Sequence, residues 1–255
     1  MARSRSQALS RENPVYRHSG TFFGVFLVLA IVAFWPNYLS QPLARLDPLL
    51  HGHGIAMFLW VVMLIAQARL IRTQRRPRHR SLGTLSYVLA PAVVVFTIMF
   101  VHQTLSRSLA GAETIPPRSL LNLALMLNAT VLFGVLYGLA MYFRRDSQRH
   151  ARYMVCTLFP LFTPVTDRLI AFHFRPLRNL MPQIDGGPVV PFAGFFLADV
   201  ILVALVVWDW RRNHRLDVFP VALGLLFVYH VSVMTLHLVP AWHAFAVWFL
   251  SLPIS

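Results

Sequence analysis

Apolar residues recur along this chain in runs of about twenty, separated by short polar stretches rich in arginine and proline. A hydrocarbon core of about 30 Å is crossed by roughly 20 helical residues. Seven runs are long enough: residues 20–37, 52–71, 84–103, 119–143, 152–173, 190–208 and 219–238. An eighth, 241–252, follows Pro240 and is too short to cross. Its Trp242 and Trp248 suit a segment that lies at the interface or folds back. The pattern predicts an all-α fold: a polytopic membrane helical bundle of seven transmembrane helices. A basic N-terminal segment covers 1–19, the seven-helix domain 20–238, and an interfacial C-terminal segment 239–255. The first span follows Arg3, Arg5, Arg11 and Arg17 as a signal peptide would. No small-x-small cleavage site follows Phe34-Trp35-Pro36-Asn37, so it reads as an uncleaved signal-anchor.

Composition narrows the picture. Hydrophobic residues make up 57% and charged residues 13%, against roughly 25% charged in soluble domains. That leaves one bundle with short loops and no separate soluble domain. All 23 basic residues are arginine. The absence of lysine excludes a retinal Schiff base and any lysine-based covalent catalysis. Cys156 is the one cysteine, which excludes an intrachain disulfide and thiolate sites of two or four cysteines. It reads as a small packing residue.

The net charge of +14 does not point to nucleic acid, because the arginines flank the spans and act there as topology signals facing the lipid bilayer. The N-terminus and the loops after spans 2, 4 and 6 carry 17 of them. The other side carries Arg45, Arg107, Arg118, Arg175 and Arg178, and Arg168 lies within span 5. Arginine excess marks the cytoplasmic side, so the N-terminus is expected in the cytoplasm and the C-terminus outside.

The candidate chemistry lies in eleven histidines. An ionisable residue within a membrane span marks a functional site by default. Near the expected outer face lie His51, His53, His102, His173, His237 and His243. Near the cytoplasmic face lie His18, His79, His150 and His214. His51-Gly52-His53-Gly54 is a His-x-His pair flanked by glycines, which let backbone and ligands approach closely. Met57, Met99 and Met234 share helix faces with His53, His102 and His237. Imidazole suits Zn, Cu and Fe, and thioether favours Cu(I). His53, His102 and His237 are therefore the candidate metal ligands of the outer face. His79 and His150 each open a span on the cytoplasmic side, where the two can approach one another.

A third group lies near mid-membrane. Asn128 and Asp199 are each nine residues in from the outer starts of spans 4 and 6, and His230 is eleven in from the start of span 7. Asp167 and Arg168 follow Pro160 and Pro164 in span 5, somewhat nearer the outer face. A charged group at the bilayer centre costs about 2.5–3.5 kcal/mol on insertion scales, so these should face inward and pair. They suit a proton relay or polar cavity, or ion pairs that fix helix packing.

The block His53-Gly54…Trp60…Gln67…His79-Arg80-x-Leu82-Gly83, followed by His150-x-x-Tyr153-Met154…Arg168, resembles a group of uncharacterised bacterial multi-pass membrane proteins. Those carry an HR-x-LG turn and a later H-x-x-[WY]-M helix. The resemblance covers spans 2 to 5 and implies a bacterial inner membrane. The chain also resembles, more loosely, the b-type transmembrane di-haem cytochromes, in which histidines on alternate helices hold one haem near each face. That resemblance implies haem b between His79 and His150. A second haem would need a histidine on span 4, which offers only Asn122 and Asn128.

Three readings of function stand. The first is a redox or metal protein holding haem b or a transition metal (Zn, Cu or Fe) through inward-facing histidines at helix ends. The second is a small proton-coupled transporter or channel built on Asp199 and His230. The third is a membrane-embedded zinc hydrolase using His53, His102, His237 and Asp167, although its usual His-x-x-x-His pair is missing.

Overall fold

The computed structural model describes residues 14–42 and 47–254. Arg3, Arg5, Arg11 and Arg45, together with the side chain of Arg17, lie outside the described residues. Seven helices are long and apolar enough to cross a membrane. They are α1 (Pro14–Phe34, extended by a π-helical turn Trp35–Leu39), α2 (Pro48–Arg72), α3 (Arg76–Ser108) and α4 (Pro117–Tyr142). Span 5 follows as two helices, α5 (Ser147–Cys156) and α6 (Phe162–Phe172), then α7 (Pro191–Asn213) and α8 (Phe219–Thr235). A last helix, α9 (Pro240–Leu250), is separated from α8 by a 3-10 turn, Leu236–Leu238.

Local chemistry explains the helix ends. Asp47 caps α2 by accepting the Leu49 N–H at 2.8 Å, with Pro48 in the first turn. Asp146 caps α5 by accepting the N–H groups of Gln148 and Arg149 at 3.0 and 3.2 Å. Prolines occupy the first turn of α3, α4, α7, α8 and α9, where the missing N–H has no helical partner to lose. Span 5 breaks in the middle because Pro160 and Pro164 withhold donors, and the chain passes through a 3-10 turn at Phe159–Leu161.

Span 5 is the axis of the bundle. Of its most apolar window, 61% is buried, against at most 39% for any other span. Around it, α1 packs on α2, α2 on α3, α3 on α4, α4 on α8 and α8 on α7. The second half of span 5, α6, lies against both α1 and α7. The main core includes Trp60, Phe159, Leu202 and Phe219, each almost wholly enclosed. A second core of Val101, Leu105, Leu120, Leu123, Ala246 and Phe249 seats α9 against α3 and α4. The Trp242 indole N–H donates to the Leu120 carbonyl at 3.1 Å, so this last helix folds back onto the bundle. A two-residue hairpin, β1 (Gln183–Ile184) with β2 (Gly187–Pro188), turns through Asp185 and Gly186, both at positive φ.

Candidate functional site

Several polar groups interrupt the apolar bundle. At the arginine-rich end, His79 sits in the first turn of α3 and His150 in the first turn of α5. The structure brings them together: the ring centres are 6.5 Å apart and the planes almost perpendicular, at 80°. His150 Nδ1 lies 2.8 Å from the Ala140 carbonyl. A carbonyl only accepts, so Nδ1 carries the proton and donates, and Nε2 of the neutral ring keeps a free lone pair. His79 Nδ1 is buried without a partner.

Other residues of the motif gather beside this pair. Gly83 lies one turn after His79 on the same face of α3. The Gln67 amide nitrogen, from α2, is 3.5 Å from where a Gly83 Cβ would be. Gln67 Oε1 is buried without a partner. Deeper in the bundle, Trp60 donates to Thr157 Oγ1 at 3.2 Å and packs edge-on against Phe133 and Tyr137. The Tyr137 hydroxyl lies 2.9 Å from Ser86 Oγ. The motif thus follows a buried polar seam running inward from the histidine pair.

Midway along the bundle, His230 Nδ1 lies 3.1 Å from Asp199 Oδ2, and the imidazole stacks on Phe195 with centres 4.2 Å apart. Asp199 Oδ1 is buried without a partner. Asn128 does not join this pair; its amide donates to Ser232 Oγ at 2.8 Å. Asp167 and Arg168 form no ion pair with each other. Arg168 instead donates to the Pro164 carbonyl at 3.0 Å and places its guanidinium 4.4 Å from the centre of the Phe34 ring. Asp167 Oδ1 and Arg168 Nε are both buried without partners.

At the opposite end, the three histidines of similar depth have different neighbours. His53 Nδ1 lies 3.1 Å from Thr97 Oγ1, and its ring stacks on Phe100. His102 meets the Phe249 ring edge-on, in the second core. His237 occupies the 3-10 turn after α8, with Nδ1 buried and unpartnered. Among the described residues, no three His, Cys, Asp or Glu side chains form a group able to hold a metal ion. The glycines of the His-Gly-His-Gly motif serve helix contacts. A Cβ on Gly52 would come within 2.5 Å of Phe96, and one on Gly54 within 3.0 Å of the Tyr38 hydroxyl, which itself bonds His51.

The largest departure from the sequence reading is Arg152, expected to be a loop arginine that sets topology. It is wholly enclosed within α5 and grips Asp209 with two hydrogen bonds, Nε to Oδ2 at 2.9 Å and Nη2 to Oδ1 at 2.7 Å. The Asn213 amide donates to the same carboxylate at 2.7 Å. Around this pair, Arg149 reaches Asp217 at 3.0 Å, and Arg215 reaches both Asp217 and Gln148 Oε1. Burial alone raises the Asp217 pKa, but hydrogen bonds from Arg215 and Arg149 outweigh it and bring the carboxyl down to about 2. At the other end, the Arg107 hydrogen bond holds Asp47 below the usual aspartate value. A capping signal at Asp146, with helix beginning at Ser147, was the clue that Arg152 lies inside a helix.

No protein-family model, no curated protein and no solved structure matches this chain.

Proposed function

We propose that this chain is an integral membrane electron carrier holding haem b between His79 and His150. The observation that carries this reading is the pairing itself: two imidazoles 6.5 Å apart, one with its proton committed to a backbone carbonyl. Such a second hydrogen bond fixes the tautomer and orients the ring of a ligating histidine. His79 and His150 would suffice to hold a haem iron, whereas zinc takes three or four protein ligands. The pair therefore fits haem better than zinc. Gly83 leaves the face of α3 beside His79 without a side chain, and the Gln67 amide faces the same space with an unused oxygen. A haem held by His79 and His150 would supply one-electron transfer near one membrane face. The arginine asymmetry supports placing that face in the cytoplasm of a bacterial inner membrane, with the N-terminus inside and the C-terminus outside.

A second reading is proton-coupled transport, favoured by the Asp199–His230 contact at 3.1 Å. One set of preparations separates the two. Protein purified from a haem-supplied host is expected to show a Soret band and about one iron per chain, lost in His79→Ala and His150→Ala and kept in His237→Ala. A parent protein without a Soret band and without stoichiometric iron, copper or zinc overturns the metal reading. In liposomes, transport predicts proton-linked flux abolished by Asp199→Asn, and unchanged flux in that variant removes it.

A further inference from the structure

The α2–α3 junction differs from the other basic segments at its end of the bundle, which hold Asp146 and Asp217, in having no carboxylate of its own. Arg149, Arg152 and Arg215 all have carboxylate partners. The end of α2, the α2–α3 loop and the start of α3 carry Arg69, Arg72, Arg75, Arg76, Arg78 and Arg80, and no Asp or Glu occurs between Asp47 and Glu113. Among the described residues, none of these six makes an ion pair.

Two of the six border a crevice of about 220 Å³ formed by Ala66, Arg69, Leu70, Thr73 and Arg75. Its lining combines apolar Ala66 and Leu70 with cationic Arg69 and Arg75. Two of the backbone oxygens at this turn already accept hydrogen bonds. The Arg69 carbonyl accepts from the N–H and the hydroxyl of Thr73, and the Leu70 carbonyl accepts from the Arg75 N–H at 2.8 Å. Gln74, at φ 60°, turns the chain sharply, so Arg75 stands at the N-terminus of α3, where a helix favours negative charge. The same helix carries an apolar stripe. Ile55, Phe58 and Leu59 are all about half exposed on one face of α2, and Ala66 and Leu70 extend that surface towards the arginines.

The geometry points to a binding site for one anionic phospholipid, with its phosphate between Arg69 and Arg75 and its acyl chains along Ile55, Phe58 and Leu59. Arginines together with an apolar helix face match the head and tail of such a lipid. A soluble phosphate would leave the apolar stripe unused. This site adjoins the histidine pair through Arg75, whose carbonyl accepts the His79 N–H at 3.0 Å, and does not depend on a haem.

The test is native mass spectrometry of the full chain in neutral detergent with added phosphatidylglycerol. Each arginine near a membrane surface contributes about 1 kcal/mol of attraction, so losing two weakens lipid retention roughly thirtyfold. Arg69→Gln/Arg75→Gln is expected to show that loss, and each single variant about fivefold. Arg211→Gln/Arg212→Gln removes the same charge from the same end and is expected to bind as the parent does. Inorganic phosphate at millimolar concentration is expected not to displace the lipid. Equal retention by the parent and the Arg69/Arg75 variant overturns the site. So does equal loss in the Arg211/Arg212 control, or displacement by inorganic phosphate. Because neither arginine makes an ion pair, the lipid-free double variant should melt with the parent. If it does not, the two single variants decide.

Discussion

The two halves of span 5 carry charge in opposite ways. In α5, Arg152 is wholly enclosed and every hydrogen bond to Asp209 is short and paired, with Asn213 and Gln148 completing the set. In α6, Asp167 and Arg168 sit side by side without pairing, and each has a buried polar atom with no partner. The break at Pro160 and Pro164 separates the two regimes. The lesson concerns which charges to read as structure. A buried pair with all its valences met is a clamp between spans 5 and 6. Charges with unmet valences are a cost that the fold carries without structural return, and they mark the half where a ligand, proton or water has something left to bind.

The comparison breaks most readily at the clamp. Removing one member of a buried ion pair leaves an uncompensated charge and typically costs about 3–5 kcal/mol. Arg152→Met and Asp209→Leu are each expected to lose stability on that scale, measured by denaturant titration or thermal unfolding in detergent. The double variant Arg152→Met/Asp209→Leu should recover most of the loss, because two apolar groups replace the pair with nothing left unpaired. A single-variant cost below about 1 kcal/mol would mean that water reaches the pair and that α5 is no more locked than α6.

The other side of the comparison is sharpened by Asp167→Asn and Arg168→Gln. Each removes a charge whose valences are only partly met. Both are therefore expected to stay within about 1 kcal/mol of the parent or to gain stability. The same unfolding assay checks this. A loss comparable to that of Asp209→Leu would place α6 in the same structural class as α5.

Much of the architecture was readable because hydrocarbon thickness imposes a length on every span and because caps and prolines mark the ends. The seven apolar runs match the seven long helices, and Pro160 and Pro164 lie at the break in span 5. Depth was readable too: counting residues put Asp199 and His230 at one level, and they touch. Rotation about each helix axis was not readable. His53, His102 and His237 have similar depth, yet one turns to Thr97, one to Phe249 and one into a 3-10 turn. The Arg152–Asp209 clamp was missed for a related reason. Arg152 stood at the expected edge of span 5 and Asp209 one residue past the expected end of span 6, where a charge reads as loop. The helices run from Ser147 and to Asn213, which places both inside.

The smallest expected effect lies at the rim of the clamp, in the pH dependence of Asp217. Its carboxyl sits at about 2 when folded, against about 3.9 for an unperturbed aspartate. A carboxyl lowered on folding binds fewer protons in the native state, so stability rises with pH wherever the unfolded chain is still protonated. The contribution is complete above about pH 4 and is lost as pH falls towards 2. Asp217 is partly exposed, so solvent screening limits its share to about 0.2–1 kcal/mol. Melting curves of the parent between pH 5 and pH 2.5 should therefore slope downward, and Asp217→Asn should flatten part of that slope. Asp47, held down by Arg107, contributes a slope of the same sign at the opposite end. An Asp217→Asn variant that tracks the parent through this window would show that Arg149 and Arg215 do not hold the carboxylate in the folded state. The network around Arg152 would then reduce to the one enclosed pair.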